Sequence, residues 1–381
     1  VFEDSFNGIR AAHAAGTFPI MVPDKLNRLT EFNNESILII CDPFLKDSPS
    51  LTYVMGLMDS KNKVTTYTDV VPDPPITHVV KGIEFMEAIK PTVIIAIGGG
   101  SCIDMSKGIA YFGRKLKHMD IKLFIAIPTT SGTGSEVTSF AVLTDSEPQI
   151  KYPLVDDAVL PDEALLTPLF VKTSPPSVTA FSGMDVLVHA LEAYVATAAN
   201  NFTDALAQQA IELVFTFLPK CHKPTATEQD RMSMHEASCL AGLSFNKAGL
   251  GIVHAMAHQL GGQFHVPHGL ANSMLLPYVI AFNCSHNQEV AKKYAALSAK
   301  LGFASHKASE SDKLGALLEA IIKLQRTLEC PMTLTEFGVD KATSGEKLTL
   351  MASRALEDMC YRFNPYPANQ DDLISLYENV M

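Results

Sequence analysis

The sequence lacks the patterns that mark several classes of protein. Its seven cysteines include no CxxC and no close pair, so we expect reduced thiols rather than a disulfide framework. No basic run is longer than "GRKLKH" and the net charge is −11, which argues against nucleic-acid binding. Its most apolar runs are far shorter than the roughly 20 residues of a membrane helix, and no signal pattern opens the chain. We therefore expect a soluble, cytoplasmic protein that contacts neither membrane nor nucleic acid.

The chain is long enough for two hydrophobic cores, and its periodicity changes once. Its 381 residues exceed the roughly 250–300 at which a single core stops growing. The first part alternates β-branched runs ("SILIIC", "VTTYT", "TVIIAI", "LFIAIP") with helical stretches, which indicates a parallel sheet with crossover helices. After "LFVKTSPPS" only helical patterns follow, at 182–197, 203–218, 227–246, 249–262, 286–302, 311–329, 346–361 and 370–379. We predict an atypical segment (1–25), an α/β dinucleotide-binding domain (26–170) and an all-helical metal-binding domain (171–381).

Two glycine-bearing turns in the first part suit a dinucleotide. In "AIGGGSCIDMSK" (96–107), three glycines follow a strand and Ser101 is the predicted N-cap of the next helix, where a pyrophosphate binds well. In "IPTTSGTGSEVT" (127–138), hydroxyl side chains and two glycines follow another strand. Asp42 ends the first strand, where a carboxylate accepts from a ribose hydroxyl and repels a 2′-phosphate. Plain tight turns and a solvated aspartate remain the alternatives, because GxGxxG is absent.

Histidines and one aspartate form the strongest pattern of the second part. Asp185 and His189 are four residues apart on a helix for which Ser182 is the predicted N-cap, so both side chains reach one ion. A surface hydrogen bond is the alternative for that pair. The stretch "GIVHAMAHQLGGQFHVPHG" (251–269) adds four histidines. Asp185, His189 and two of these four make an open metal site, and a remaining histidine is a natural proton carrier.

These motifs resemble the iron-containing (group III) alcohol dehydrogenase family over residues 36–381. The resemblance rests on "GMDVLVHALEAY", "GLGIVHAMAHQLGG", "HVPHGLAN", "GGGSCIDMSKG" and "IPTTSGTGSEVT". It implies a dehydroquinate synthase-like fold. It also implies that Asp185, His189, His254 and His268 hold the metal, that His258 transfers a proton, and that His265 is not a ligand.

The same resemblance implies a set of dinucleotide-binding residues. They are Asp42, Asp73, Gly99, Gly100, Ser101, Thr129, Thr130, Thr138, Phe140 and Lys151. We expect the chemistry to lie in the cleft between the two domains. Phe140 and Phe245 are candidates for an apolar wall that favours short alkyl chains, with ordinary core positions as the alternative.

The resemblance implies an NAD(H)-dependent oxidation of a short-chain primary alcohol with Fe²⁺, or with Zn²⁺. "IICDPFLKDSP" and "VVPDPPITHVVKGI" are similar to the propanol dehydrogenases of propanediol-degrading microcompartments. We therefore expect a homodimer whose partners include an aldehyde dehydrogenase or the microcompartment shell. One alternative is an inactive metal-binding scaffold. The other is a metal-dependent cyclase of the dehydroquinate synthase kind, for which only Lys247 near the metal motifs offers a positive charge.

The first 24 residues depart from the family pattern. "VFEDSFNGIRAAHAAGTFPIMVPD" resembles a segment of haloacid-dehalogenase-type sugar phosphatases, in which Glu3 and Asp4 would help to hold Mg²⁺. The nucleophilic DxD strand of such phosphatases is absent. We therefore expect no phosphatase activity and interpret the segment as a fusion, truncation or gene-model artefact. It replaces the family's usual opening hairpin at the sheet edge.

Overall fold

A computed structural model of the protein describes residues 2–3, 20–21, 26–145, 150–340 and 345–381. At residues 2, 3, 20, 21, 150 and 151 it describes the backbone alone. The chain divides into two compact units, Val1–Ser174 and Pro175–Met381. Within the described residues, every helix is too short or too polar to cross a lipid bilayer.

The first unit is built on a seven-stranded sheet in which each pair of neighbouring strands is parallel. Its strands are β1 (Phe2–Glu3), β2 (Ile20–Met21), β3 (Ser36–Cys41), β4 (Lys63–Tyr67), β5 (Val93–Gly98), β6 (Leu123–Pro128) and β9 (Glu163–Leu165). They lie in the order β1-β2-β9-β6-β5-β3-β4. Ile37 and Ile39 pack into one core, whereas Leu38 and Ile40 pack into a second. Both faces of the sheet are therefore buried, as in α/β proteins.

Among the described residues, three helices of eight or more residues accompany this sheet, namely α1 (Pro49–Gly56), α2 (Ile76–Ile89) and α3 (Gly100–Lys117). The predicted parallel sheet with crossover helices is confirmed. One detail is wrong: Gly99 is the N-cap of α3, and Ser101 already lies inside the helix. The prediction also omitted an antiparallel hairpin of β7 (Phe140–Asp145) and β8 (Ile150–Val155), which forms a two-stranded sheet; Thr144 of β7 also makes an isolated bridge to Pro75.

The atypical N-terminal segment lies mostly outside the described residues. Its described backbone places β1 and β2 parallel to each other, next to β9. Glu3 ends β1, while Asp4 falls outside the described residues. One edge of the sheet is thus formed by two short parallel strands, in the segment that replaces the family's usual hairpin.

The second unit is helical throughout its described residues, as predicted. Its helices are α4 (Pro176–Val195), α5 (Asn201–Cys221), α6 (Glu228–Ala248), α7 (Ile252–Phe264), α8 (His268–His286), α9 (Gln288–Lys300), α10 (Glu310–Thr327), α11 (Leu334–Phe337), α12 (Leu348–Glu357) and α13 (Gln370–Glu378). Ser182 is not the N-cap of α4, because that helix begins at Pro176 and the Ser182 hydroxyl donates to the carbonyl of Val178 (2.7 Å). Proline suits a first helical turn, which explains the earlier start.

Helix α8 is the one long helix that the periodicity missed. Twelve of its nineteen residues are buried, so apolar side chains occur on all sides and no polar face marks a 3.6-residue period. Pro277 lies inside it and reads in the sequence as a break. Tertiary burial on all sides overrides both signals.

Helices α4 and α8 meet at Gly269, the residue after His268. A Cβ at this position would lie 2.0 Å from the carbonyl oxygen of Phe181 and 3.1 Å from Cβ of Asp185. Only glycine allows the two backbones to approach this closely. The contact fixes the start of α8, and with it His268, beside Asp185.

We expect Gly269→Ala to destabilise the protein by about 1–3 kcal/mol, because the start of α8 must move away from α4. Gly262→Ala on α7 is the matched control, since no atom lies within 4 Å of its added Cβ and alanine favours a helix by about 0.5–1 kcal/mol. Urea unfolding measures both. Equal stability of the two variants would contradict the proposed role of Gly269.

Candidate functional site

Four side chains of the second unit converge on one point. Asp185 and His189 come from α4, His254 from α7 and His268 from the first position of α8. One donor atom from each lies within 4.8 Å of the others. Asp185 Oδ1 is 3.7 Å from His254 Nε2 and 3.6 Å from His268 Nε2. These are the four residues that the family resemblance selects.

The amide of Asn272 tests whether this cluster fits a cation. Its Nδ2 donates to Asp185 Oδ1 (2.7 Å) and lies 3.1 Å from His254 Nε2 and 3.2 Å from His268 Nε2. One amide NH₂ group, whose hydrogens are partly positive, thus lies close to three of the four donor atoms, so these three atoms converge on a common region. Three imidazoles and one carboxylate are the donors that Fe²⁺ and Zn²⁺ accept. The residues therefore fit a divalent transition metal.

The charge of Asp185 is maintained by its neighbours. Burial alone raises the pKa of this carboxyl, which is only 3% exposed. The imidazoles of His189, His268 and His254 outweigh burial and hold the pKa of Asp185 well below its usual value. The carboxylate is therefore ionised, as a metal ligand must be.

Glu192 orients His254 from behind. Its Oε2 lies 2.5 Å from His254 Nδ1, and its Oε1 accepts from the backbone N–H of Val253 (2.7 Å). With Nδ1 directed to Glu192, the Nε2 atom of His254 faces the cluster. Glu192 reaches the start of α7 because Gly251 has no side chain; a Cβ there would lie 2.8 Å from Oε1.

Aromatic stacking fixes the ring of His189. It lies between the ring of Phe245 (centroids 4.4 Å apart) and that of His254 (4.6 Å). Phe245 is 4% exposed. This phenylalanine, predicted as an apolar wall or a core residue, supports a donor of the cluster.

His258 is held by a partner far away in the sequence. Its Nδ1 lies 2.7 Å from Oδ2 of Asp358, and its ring is stacked 5.4 Å from that of His268. Burial raises the pKa of Asp358, but the hydrogen bond and the charge of His258 lower it to about 2. Asp358 is thus a charged partner for His258. His265 instead ends α7 in a left-handed conformation (φ 55°) and does not belong to the four-residue cluster.

In the first unit, the glycine turn is tied to two aspartates. Gly99 N–H donates to Asp42 Oδ2 (3.0 Å), and the N–H of Asp73 donates to the Ser101 hydroxyl (3.3 Å). Burial raises the pKa of Asp42, and the hydrogen bond from Gly99 partly offsets that. Asp42 is therefore half-buried, and one of its carboxylate oxygens accepts a hydrogen bond from the glycine turn.

A buried lysine holds the second turn. Lys107 is fully buried in α3 and donates to the carbonyls of Thr138 (2.8 Å) and Phe140 (2.7 Å) and to the Thr138 hydroxyl (3.1 Å). Burial lowers the pKa of Lys107 to about 8, although Asp104 and Glu136 counteract it. The hydroxyl of Thr138 is thus engaged inside the protein.

Three of the remaining predicted cofactor residues, Thr129, Thr130 and Gly100, belong to the same two turns, whereas Lys151 lies in the hairpin. Thr129 N–H donates to the carbonyl of Gly98 (3.0 Å), which joins the second turn to the first. Thr130 lies beside Gly99, where an added Cβ would contact its methyl group at 3.5 Å. Gly100 begins α3. Lys151 pairs with Thr144 in the hairpin, and its side chain lies outside the described residues.

Sequence reasoning missed Glu192, Asn272, Asp358 and Lys107. Glu192 follows His189 by three positions, and Asn272 follows His268 by four, so both share a helix face with a predicted ligand. A polar residue on an otherwise apolar helix is the signal that would have identified them. Asp358 lies 100 residues from His258 and gives no such signal.

Comparison with known proteins identifies alcohol dehydrogenase sequences over nearly the whole chain. Residues 21–168 match the family described as iron-containing alcohol dehydrogenase, and residues 179–381 match the C-terminal part of the Fe-containing alcohol dehydrogenase family. The prediction of a metal-dependent alcohol dehydrogenase is therefore confirmed over the scaffold and cyclase alternatives.

Individual relatives also match this chain over nearly its whole length. The 1-propanol dehydrogenase PduQ of Salmonella typhimurium is 43% identical over 93% of this chain and 95% of its own. An NADPH-dependent butanol dehydrogenase of Clostridium saccharobutylicum is 38% identical over 91% of each chain. The structure of a sulfoacetaldehyde reductase from Bifidobacterium kashiwanohense in complex with NAD⁺ is 26% identical, with a TM-score of 0.81 over 100% of this chain and 96% of that one.

We expect Glu192→Gln to lower metal affinity by about 10–100-fold, because His254 loses its charged partner while the side-chain shape is retained. Competition with a chelator measures the affinity. Glu289→Gln is the control, since Glu289 lies on α9 with 79% of its side chain exposed. If Glu192→Gln binds the metal as tightly as the wild type, Glu192 only stabilises the start of α7 and does not tune the metal site.

Proposed function

We propose that this chain, which belongs to the iron-containing alcohol dehydrogenase family, interconverts a short-chain primary alcohol and its aldehyde with NAD(H). The observation that carries this proposal is the convergence of Asp185, His189, His254 and His268, next to the hydrogen-bonded pair of His258 and Asp358. A metal centre with a proton carrier at its side is what alcohol oxidation requires.

Asp185, His189, His254 and His268 hold Fe²⁺ or Zn²⁺ in this proposal. The bound ion acts as a Lewis acid toward the substrate oxygen. Glu192 and Asn272 keep the donor atoms directed inward, and Phe245 holds the ring of His189 in place.

His258 handles the proton. Asp358 accepts from Nδ1 and so leaves Nε2 of His258 to exchange a proton with the substrate oxygen, directly or through a water. The His258 side chain is 28% exposed, so solvent can reload it. In aldehyde reduction His258 gives the proton, and in alcohol oxidation it receives one.

The nicotinamide dinucleotide, which carries the hydride, binds to the first unit in this proposal. The glycine turn presents the N-terminus of α3 to its pyrophosphate, and Asp42 at the end of β3 accepts from a ribose hydroxyl. The remaining residues of the site are Asp73, Gly99, Gly100, Ser101, Thr129, Thr130, Thr138, Phe140 and Lys151. The NAD⁺ complex of the sulfoacetaldehyde reductase supports this choice of cofactor.

The substrate and setting are proposed from the relatives. PduQ is named a 1-propanol dehydrogenase, which favours propanal and 1-propanol as the pair for this chain. We place the protein in the cytoplasm, as a homodimer inside a propanediol-utilisation microcompartment beside an aldehyde dehydrogenase or the shell.

The direct test follows NADH absorbance after propanal is added to the protein loaded with Fe²⁺ or with Zn²⁺. We expect turnover in the wild type. His268→Ala should lose both the metal and the activity, whereas His265→Ala should keep both, because His265 only ends α7. Equal metal loss in the two variants would refute the proposed ligand set. If the metal-loaded wild type does not oxidise NADH with propanal, the proposed dehydrogenase activity is refuted.

The role of Asp42 in cofactor choice is separable from its contact with Gly99. Asp42→Asn can still accept from Gly99 N–H but no longer repels a 2′-phosphate, so the ratio of NADPH to NADH use should rise by about tenfold or more. Asp42→Gly removes both interactions and should also lower stability. Steady-state kinetics with both cofactors give the ratio. A ratio that stays at the wild-type value in Asp42→Asn would assign Asp42 a structural role alone.

The role of His258 is tested by pH–rate profiles of aldehyde reduction. His258→Gln should keep the metal but lower kcat by about 10²–10⁴-fold and flatten the profile, because glutamine cannot carry a proton. Asp358→Asn keeps the imidazole but removes its charged partner, so a smaller loss with a displaced profile is expected. Metal loss in His258→Gln would make His258 a ligand, and a wild-type profile would make it a packing residue.

A further inference from the structure

A second group of metal-binding side chains lies beside the first. His258, Asp358 and Cys360 each place a donor atom within 4.8 Å of the other two, the same spread as in the four-residue cluster. None of the three belongs to that cluster. They comprise one imidazole, one carboxylate and one thiol. The proposed dehydrogenase reaction uses His258 and Asp358 but gives no role to the thiol of Cys360.

The backbone after α12 places two of these groups together. Asp358 is the C-cap of α12, and the N–H of Cys360 donates to its Oδ1 (2.9 Å). This short turn directs the carboxylate and the thiol to the same side, where His258 meets Asp358 Oδ2. Helix α7 and the segment after α12 therefore supply the site from two directions.

The distances suit a zinc-like ion. Bonds of about 2.0–2.3 Å to nitrogen, oxygen and sulfur separate tetrahedral donors by roughly 3.3–3.8 Å, so donors within 4.8 Å need only small shifts. Three protein donors leave a fourth position for water. The sulfur favours soft or borderline ions over Mg²⁺ and Ca²⁺.

The site is also accessible. The side chains of His258 and Asp358 are 28% and 14% exposed, and Cys360 is partly buried. Cys360 and Cys284 are the only two cysteines in the described residues that are not fully buried. The imidazole and the carboxylate are therefore open to an ion from solvent, and the thiol lies next to them.

We propose that His258, Asp358 and Cys360 form a second, inhibitory site for thiophilic divalent cations such as Zn²⁺ and Cd²⁺. Binding breaks the S–H bond of Cys360: the sulfur electron pair goes to the cation and the proton to solvent. The cation also takes Nδ1 of His258: the Nδ1 proton leaves and a proton is taken up at Nε2, so Nε2 can no longer accept a proton from the substrate. This second step rests on the proposed function, whereas binding itself does not.

The charge balance explains why the thiol stays reduced and protonated until a cation arrives. Burial raises the pKa of Cys360 well above its usual value, and the charge of Asp358 raises it further. A dication next to both groups offsets the carboxylate charge and displaces the thiol proton. Binding should therefore release about one proton per ion.

The test adds Cd²⁺ to protein that already holds one ion per chain. We expect one further equivalent to bind, together with an ultraviolet thiolate-to-Cd²⁺ absorbance band, proton release, and a loss of propanal reduction that a chelator reverses. Cys360→Ser should lose the band and bind the second ion about tenfold or more weakly while keeping the first. His258→Gln should also bind the second ion weakly. Cys284→Ser is the matched control and should behave as wild type.

Two results would overturn the site: no second equivalent in the wild type, or a band that persists in Cys360→Ser and disappears in Cys284→Ser. Binding that requires Cys360 but leaves propanal reduction unchanged would keep the site and overturn inhibition through His258. Because the band reports the thiolate alone, a failed second site is distinguished from a failed dehydrogenase function.

Discussion

The arrangement of the second unit depends on two carboxylates buried in one helix. Every residue of α4 from Gly183 to Val195 is buried, including Asp185 and Glu192. A buried charge without a partner is very costly, so each carboxylate needs donors from neighbouring elements. Asp185 obtains them from the imidazoles and from Asn272, and Glu192 from His254 and from the backbone at the start of α7. The same contacts that stabilise the charges therefore align three helices around one point.

The first unit also buries a charge, but a positive one. Lys107 brings a positive charge into the interior, and the carbonyls of the loop that follows β6 surround its ammonium group. Asp104, one turn earlier, accepts from the Ser135 hydroxyl (2.6 Å) and from the N–H of Val142 (2.9 Å). These two residues connect the helix after the glycine turn to the second turn. The "IDMSK" part of the motif thus has a structural role, because its aspartate and its lysine hold the second turn.

The sequence predicted those structural features that show a hydrophobic period or a recognised motif. The core strands, most helices and the four converging side chains were found because alternation, helical spacing and motif residues are visible in the chain. Helix α8 was missed because burial on all sides removes the amphipathic period, and Ser101 and Ser182 were misassigned because glycine and proline begin those helices. The hydrogen-bond partners of the site residues were not predicted for another reason. Asp358 contacts His258 across 100 residues, and no local pattern encodes a contact at that distance.

Helix α7 is hydrogen-bonded at three points to residues that lie about a hundred positions later in the chain. Asn364 accepts from the N–H of Ile252 (3.2 Å), Tyr377 donates to the carbonyl of Met256 (3.0 Å), and Asp358 holds His258. Ribosomes make a chain from its N-terminus, so all four converging donors exist once residue 268 has been added. Helix α7, which carries His254, gains these three supports only after residue 377. The order of synthesis therefore separates the presence of the four donor residues in the chain from the support that holds α7 in place.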